Sequence, residues 1–298
     1  MSEIKILVAA HKRSLFPQNE IFLPIQVGRQ ISPEKLNIQG DDEGENISQK
    51  NPNYCELTAL YWAWKNLKAD YIGLCHYRRY FNFKTKYFRQ GNKIITKFND
   101  IEGFAPSKSQ LEKILSKYDI ILAKPKIYPH SLELDYKSEH VTEDLEILTK
   151  IIKNNYSAYY VPWINVMKYN NKLNHYNMFI CKTEIFQDYC QWLFSVLGEC
   201  EKEIKLSPYT YQQRVFGFLS ERLLLLYCKK NNLKTAYYPI VFIDENSTKF
   251  PKNTKIKNLF KNLVFYVRTP VIISNKLRKI FIGLSNSKRS YNSSTTVF

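Results

Sequence analysis

The chain has 298 residues, 44% of them hydrophobic, with only 9 Gly and 12 Pro. That composition supports a buried core and excludes collagen-like, low-complexity and disordered classes. The net charge is +17, which would suit a nucleic-acid binder, but it is uneven: eleven Lys and Arg and no acid follow Glu245. Subtracting those eleven from the 44 basic residues leaves 33 against 27 acids over residues 1–245, a mildly basic body. The six cysteines include no CxxC pair, so reduced buried thiols are expected rather than a zinc site. The start, Met1 to Lys5, runs directly into Ile6-Leu7-Val8-Ala9-Ala10, and no secretory leader is expected. No apolar run approaches the roughly 18–20 residues that span a bilayer.

The first expected strand is Ile4 to Ala10, followed by a short apolar segment, Phe22 to Gly28. A polar loop, Gly40-Asp41-Asp42-Glu43-Gly44-Glu45-Asn46, leads to Asn51-Pro52, a cap residue with Pro at the first helical position. Leu57, Leu60, Tyr61, Trp64 and Leu67 then recur on one helix face. Tyr71 to Cys75 reads as a strand running into His76-Tyr77-Arg78-Arg79-Tyr80-Phe81. Residues 84–105 read as a linker. Ser107 with Gln110 forms a capping-box pattern before Leu111, Ile114 and Leu115. The strand Tyr118 to Ala123 stops at Lys124-Pro125. Thr142 opens a helix with Glu143 and Asp144 in its first turn, where acids suit the dipole. Tyr176 to Cys181 reads as a strand, Thr183 caps a long helix, and a further helix covers about 212–230. A last strand, Tyr237 to Ile243, precedes the basic tail.

Strands alternating with helices predict an α/β fold with a largely parallel sheet. Ligand sites in such sheets lie at the carboxyl ends of strands, which selects His11 to Arg13, His76 to Arg79, and Lys124. His76, Arg78 and Arg79 form the most unusual group. Guanidinium groups bind a diphosphate through paired donors; the alternative is pairing with surface acids. If the strand stays extended, Arg78 and Arg79 point to opposite faces. The carboxylates of Asp41 and Asp42 suit Mg²⁺, Mn²⁺ or sugar hydroxyls, or merely a solvated turn. Glu221, inside the apolar stretch Val215 to Leu225, is either a base or a structural partner of Arg222. His175 and Asn177 flank a strand start and could hydrogen-bond a sugar. His130 and His140 have no partner at metal-ligand spacing and receive no role. The tail mixes cations with Leu259, Phe260, Leu263, Phe265 and Phe281. It reads as a surface-lying membrane anchor or as a helical cap packed on the domain. This divides the chain into a domain over residues 1–245 and a basic extension over 246–298.

Several strings carry a resemblance: Phe22 to Gly28, Gly40 to Ser48, Lys50 to Trp64 (KNPNYCELTALYWAW), Asp70 to Phe81 (DYIGLCHYRRYF), Tyr176 to Ile180, Tyr189 to Phe194 and Phe216 to Leu223. They resemble a bacterial family catalogued as a domain of unknown function and found in capsule and exopolysaccharide gene clusters. That family is similar to glycosyltransferases of the GT-A fold. The resemblance implies a Rossmann-like GT-A domain over roughly residues 4–245. It further implies hexose transfer, galactose in pyranose or furanose form included, from a UDP-sugar to a lipid-linked oligosaccharide at the inner face of the cell membrane. Under it, His11, Asp41, Asp42 and Asn46 hold the donor. His76, Arg78 and Arg79 stabilise the leaving diphosphate, Asn177 and His175 contact sugar, and Glu221 is the base. Many GT-A enzymes carry Asp-x-Asp where this chain has His76-Tyr77-Arg78, so a divalent cation, Mg²⁺ or Mn²⁺, stays open. The competing readings are a non-catalytic scaffold of a polysaccharide-assembly complex and a nucleic-acid binder. The second is disfavoured because the charge sits in the tail and no recognised binding motif occurs.

Overall fold

The computed structural model describes residues 2–84, 93–244 and 255–268. Strands β1 (Ile4–Ala10) and β2 (Phe22–Gln26) are parallel, and β3 (Gln39–Gly40) continues that edge. A one-turn helix α1 (Asn51–Tyr54) and α2 (Leu57–Asn66) cross over to β4 (Tyr71–His76), which lies parallel on the other side of β1. The chain then runs through β5 (Arg79–Phe81), β6 (Lys93–Thr96), α3 (Lys108–Leu115), β7 (Ile120–Ala123) and β8 (Lys126–Ile127). Three helices follow, α4 (Leu132–Glu139), α5 (Thr142–Asn155) and α6 (Ser157–Lys168), then β9 (Lys172–Leu173) and β10 (Phe179–Lys182). The last elements are α7 (Thr183–Glu203), α8 (Val215–Lys230), β11 (Thr235–Tyr238), β12 (Ile240–Ile243) and α9 (Lys255–Arg268). Among the described residues the main sheet has the order β11-β7-β10-β4-β1-β2-β3, with β5, β12 and β6 branching from β4.

Alternation along the strands divides the core in two. Leu7, Ala9, Ile72, Leu74, Ile120, Leu122, Phe179 and Cys181 face a large cluster that includes residues of α2 and α4 to α8. Ile4, Ile6, Val8, Ala10, Cys75, Ile121, Ala123 and Ile180 face the other way, toward α3, β5 and β12. A sheet covered on both faces explains why β1 and β7 read as continuous apolar runs.

The sheet is rich in parallel pairs, as expected, but it is mixed: β10 runs antiparallel between β4 and β7. The chain enters β10 from the helical excursion α4 to α6 and so arrives from the opposite end. The strand expected from Tyr176 starts only at Phe179, since Tyr176 and Asn177 have φ of 76° and 51°, a left-handed turn that ends the preceding segment. The expected linker over 84–105 contains β6, parallel to β12, and a 3-10 turn whose Ile101 is buried. The last strand is two, split at Pro239, which has no N–H to donate. Helices α4 and α6 were not anticipated, and Pro162 inside α6 hides its periodicity. On α2 the fully buried residues are Leu57, Thr58, Ala59, Leu60 and Ala63, while Tyr61 and Trp64 pack outward on Phe194. No described helix is long and apolar enough to cross a membrane.

Candidate active site

The carboxyl ends of β1, β2 and β4 open into a cleft of about 770 Å³. Ala9, His11, Val27 and residues 76–79 line the sheet side. The N-terminal half of α8, α4, β8 and the His175–Tyr176 turn form the opposite wall. The chain has five histidines, and all five, His11, His76, His130, His140 and His175, line this cleft.

One corner is basic. Tyr77 and Arg78 form the tip of a tight hairpin in which His76 pairs with Arg79, so the strand does not continue extended past residue 76. Both arginines line the cleft. Arg78 is exposed and lies over the Tyr77 ring at 5.1 Å, while His11 meets the same ring edge-on. Arg79 stacks on Tyr176 at 4.5 Å. Arg214 joins from the start of α8, its Nε donating to Cys55 Sγ at 3.2 Å. Arg78, Arg79 and Arg214 form no salt bridge with a described carboxylate. Burial, then Lys12, Arg78 and Arg214, push the His11 pKa down, the signature of a site short of anions. Cys55 sits at φ 53° and ψ −131°, a region that costs a non-glycine residue roughly 1–3 kcal/mol. It breaks the helix between α1 and α2 directly before Glu56. A Cβ on Gly217 would meet Cys55 Sγ at 3.2 Å, a tight contact that the glycine relieves.

The other wall is an ion and hydrogen-bond network. Glu221 accepts from the Tyr176 backbone N–H at 2.6 Å, from His175 Nδ1 at 3.2 Å and from Arg222 Nη1 at 3.2 Å. Burial opposes ionisation of Glu221, but His175, Arg222 and the Tyr176 amide overcome it and hold the carboxyl at about 2. His175 thus bridges two groups: Nδ1 faces Glu221, and Nε2 lies 2.6 Å from the Tyr128 hydroxyl. Arg222 is buried and reaches Asp135 Oδ2 at 3.1 Å and the Phe218 carbonyl at 3.0 Å. His76 donates from Nε2 to the Tyr176 carbonyl at 2.7 Å, and burial lowers its pKa. His140 stacks on Phe218 at 4.0 Å; burial and Arg222 bring it down to about 4. Glu56 accepts from Asn177 Nδ2 at 2.7 Å. Of the cleft acids, Asp135 and Glu221 are bonded to Arg222 and Glu139 is exposed. Glu56 is half-buried and has no cation bridged to it among the described residues.

Of the residues selected from sequence, the fold brings together His11, His76, Arg78, Arg79, His175 and Glu221. Asp41, Asp42, Asn46 and Asn177 do not line the cleft. Asp41 is fully buried and accepts from the Gly28 and Arg29 amides and the Ser48 hydroxyl, fastening the turn where Gly28 takes φ 64°. Asp42 pairs with Arg29 and Lys35, and the Asn46 amide bonds back to the carbonyls of Asp42 and Gly44. These carboxylates do not fit a divalent cation, which would have to displace the bonds that shape the loop. Among the described residues no group of three or more His, Cys, Asp or Glu is arranged to hold a metal. Asn177 is buried with its amide bonded to Glu56, the Gly217 carbonyl and Ser220. A base role for Glu221 conflicts with a carboxyl held at about 2 and already bonded to three donors, since a base works best near the operating pH. Sequence reading missed Glu56, Tyr128, Arg214, His130 and His140. Glu56 alone carried a local signal, as the acid directly before the Leu57–Leu60 stripe.

A family profile, a domain of unknown function (DUF4422), matches residues 5–232, and the chain belongs to that family. Among solved structures, the apo structure of WbbM, a bifunctional glycosyltransferase, is similar: 30% identity and a TM-score of 0.76 over 84% of this chain and 48% of that chain. The chain thus spans about half the length of that protein. No curated protein matches.

Proposed function

We propose that the chain is a GT-A-like glycosyltransferase that moves a hexose from a UDP-sugar to a sugar hydroxyl on a lipid-linked oligosaccharide, in capsule or exopolysaccharide synthesis at the inner face of the cell membrane. The observation that carries this reading is the basic corner of His11, Arg78 and Arg214, without a salt-bridged acid among the described residues, facing Glu56 and the His175–Glu221 pair across one cleft. The likeness to WbbM adds weight over the shared half of that protein.

In this reading the diphosphate lies against Arg78 and Arg214. Their donors gain strength as charge develops on the leaving oxygen when the glycosidic bond breaks. Glu56, held by Asn177 and free of a bridging cation, takes the proton from the acceptor hydroxyl. Glu221 is a positioning residue: it fixes the ring orientation of His175, which in turn holds the Tyr128 hydroxyl at the cleft wall.

The test is thermal stabilisation by nucleotides and nucleotide-sugars, followed by calorimetry. UDP and a UDP-hexose should raise the melting temperature. Arg78→Ala and Arg214→Ala should each weaken UDP binding by about 1.5–3 kcal/mol, the size of a hydrogen bond to a charged group. Arg78→Lys should recover only part, since an ammonium cannot replace the planar fork. Wild-type affinity in both alanine variants would remove the basic corner from the donor site.

A further inference from the structure

Helix α9 (Lys255–Arg268) presents two different faces. One docks: Phe265 is 2% exposed, and Asn262 Oδ1 accepts from Asn171 Nδ2 at 3.0 Å. The other carries Leu259, Phe260, Leu263 and Val267, exposed at 72%, 65%, 60% and 70%. At 100° per residue these four fall within one arc of about 100°, and Phe265 and Asn262 lie outside it. Lys257, Lys261 and Arg268 border the stripe along one side. Four large apolar side chains in a continuous exposed row are not explained by the helix's own packing. The chemistry of the surroundings selects the occupant: residues 246–298 contain eleven Lys and Arg and no acid. An anionic partner with an apolar interior matches both features, and that is a lipid surface.

We propose that α9 is a lipid-docking helix that lies in the headgroup region of an anionic membrane, its Leu259–Phe260–Leu263–Val267 stripe inserted and its cations on the phosphates. Long lysine side chains reach the headgroups while their methylenes extend the apolar face. The docked face ties this surface to the cleft. Asn171 also donates to the Tyr128 carbonyl, α9 packs on β8, and Lys126 and Tyr128 line the cleft. A membrane-seated α9 therefore holds one cleft wall close to the lipid surface. The docking surface stands independently of the transfer reading. The added consequence, that the acceptor is a lipid-anchored glycan delivered at that wall, rests on it.

The test uses the full chain and sedimentation with vesicles of phosphatidylcholine alone or mixed with phosphatidylglycerol. Wild type should bind the anionic vesicles at least tenfold more tightly than the neutral ones, and salt should weaken that binding. The double variants Leu259→Glu/Leu263→Glu and Lys257→Glu/Lys261→Glu should each lose at least tenfold on anionic vesicles. Their melting temperature and UDP affinity should be unchanged, because Leu259, Leu263 and Lys257 are exposed, Lys261 is only half-buried, and none of the four lines the cleft. Wild-type vesicle binding by both variants would overturn the proposal, with the lipid contact then lying elsewhere in the chain. A wild-type chain that ignores vesicles but forms a dimer that the leucine variant dissociates would also overturn it, assigning the stripe to a second copy. Loss of UDP binding in wild type would count against the transfer reading alone.

Discussion

At Glu221 a single carboxylate serves three donors, which favours the structural one of its two sequence readings. It is a partner of Arg222 and also the group that orients His175 and the Tyr176 amide. Its folded carboxyl sits at about 2, below the ordinary 4.5. The unfolded chain therefore binds the proton more readily, and the stabilisation is complete above about pH 5 and lost as pH falls through about 2. Glu221→Gln should remove a contribution on the order of 3 kcal/mol at pH 7 and lower turnover about tenfold through His175. Glu56→Gln should cost roughly 10²–10⁴-fold in turnover, the range of a lost general base, with UDP affinity kept. Matched kinetics of the two variants decide between them: a larger loss at Glu221 than at Glu56 would return the base role to Glu221. His76, Arg78 and Arg79 were legible because they follow an obvious strand. That both Arg78 and Arg79 line the cleft was not, since it depends on a hairpin with no Gly or Asn at its tip.

Among elements, α4 and α8 are joined by a buried ion pair. Arg222 is 2% exposed and its Nη2 lies 3.1 Å from Asp135 Oδ2. Removing one partner of such a pair leaves an uncompensated charge, which typically costs 3–5 kcal/mol. Asp135→Ala should lower stability by about that amount in urea unfolding. A loss under about 1 kcal/mol would mean that Glu221 and the Phe218 carbonyl satisfy Arg222 alone. Asp135 gave no signal in the sequence because α4 itself was not anticipated. Helix starts were more legible: Ser107 caps α3 by accepting the Gln110 N–H. The reciprocal half of that capping box is absent, since Gln110 Nε2 donates instead to the Phe83 carbonyl.

Across the whole molecule, the histidines and the cations of the cleft share one electrostatic environment. Burial lowers the pKa of His11, His76 and His140, with Arg78, Arg79 and Arg222 respectively adding to it. Each takes up a proton less readily in the fold than in the unfolded chain. Stability should therefore fall as the pH drops from about 6.5 toward about 4, the folded value for His140. His140→Gln should flatten that part of the melting profile, by ~2 kcal/mol once partial exposure is allowed for. An unchanged slope between pH 6.5 and 4 would assign the acid sensitivity to other groups.

Local pattern by itself determined most strand and helix positions, the two-part charge distribution and the strand-end cluster, because periodicity and turn chemistry act over a few residues. The mixture of apolar residues and cations in the tail was visible in the same way. Tertiary structure alone decided which polar groups meet. Glu56 and Asn177 are 121 positions apart, Cys55 and Arg214 159, and no local rule links them. It also decided that Asp41 fastens a turn away from the cleft, because a carboxylate's partners follow from the donors the fold brings to it. The reversal of β10 likewise follows from the path of the whole chain, and it places the Tyr176–Asn177 turn, and with it His175 and Glu221, at the wall of the cleft.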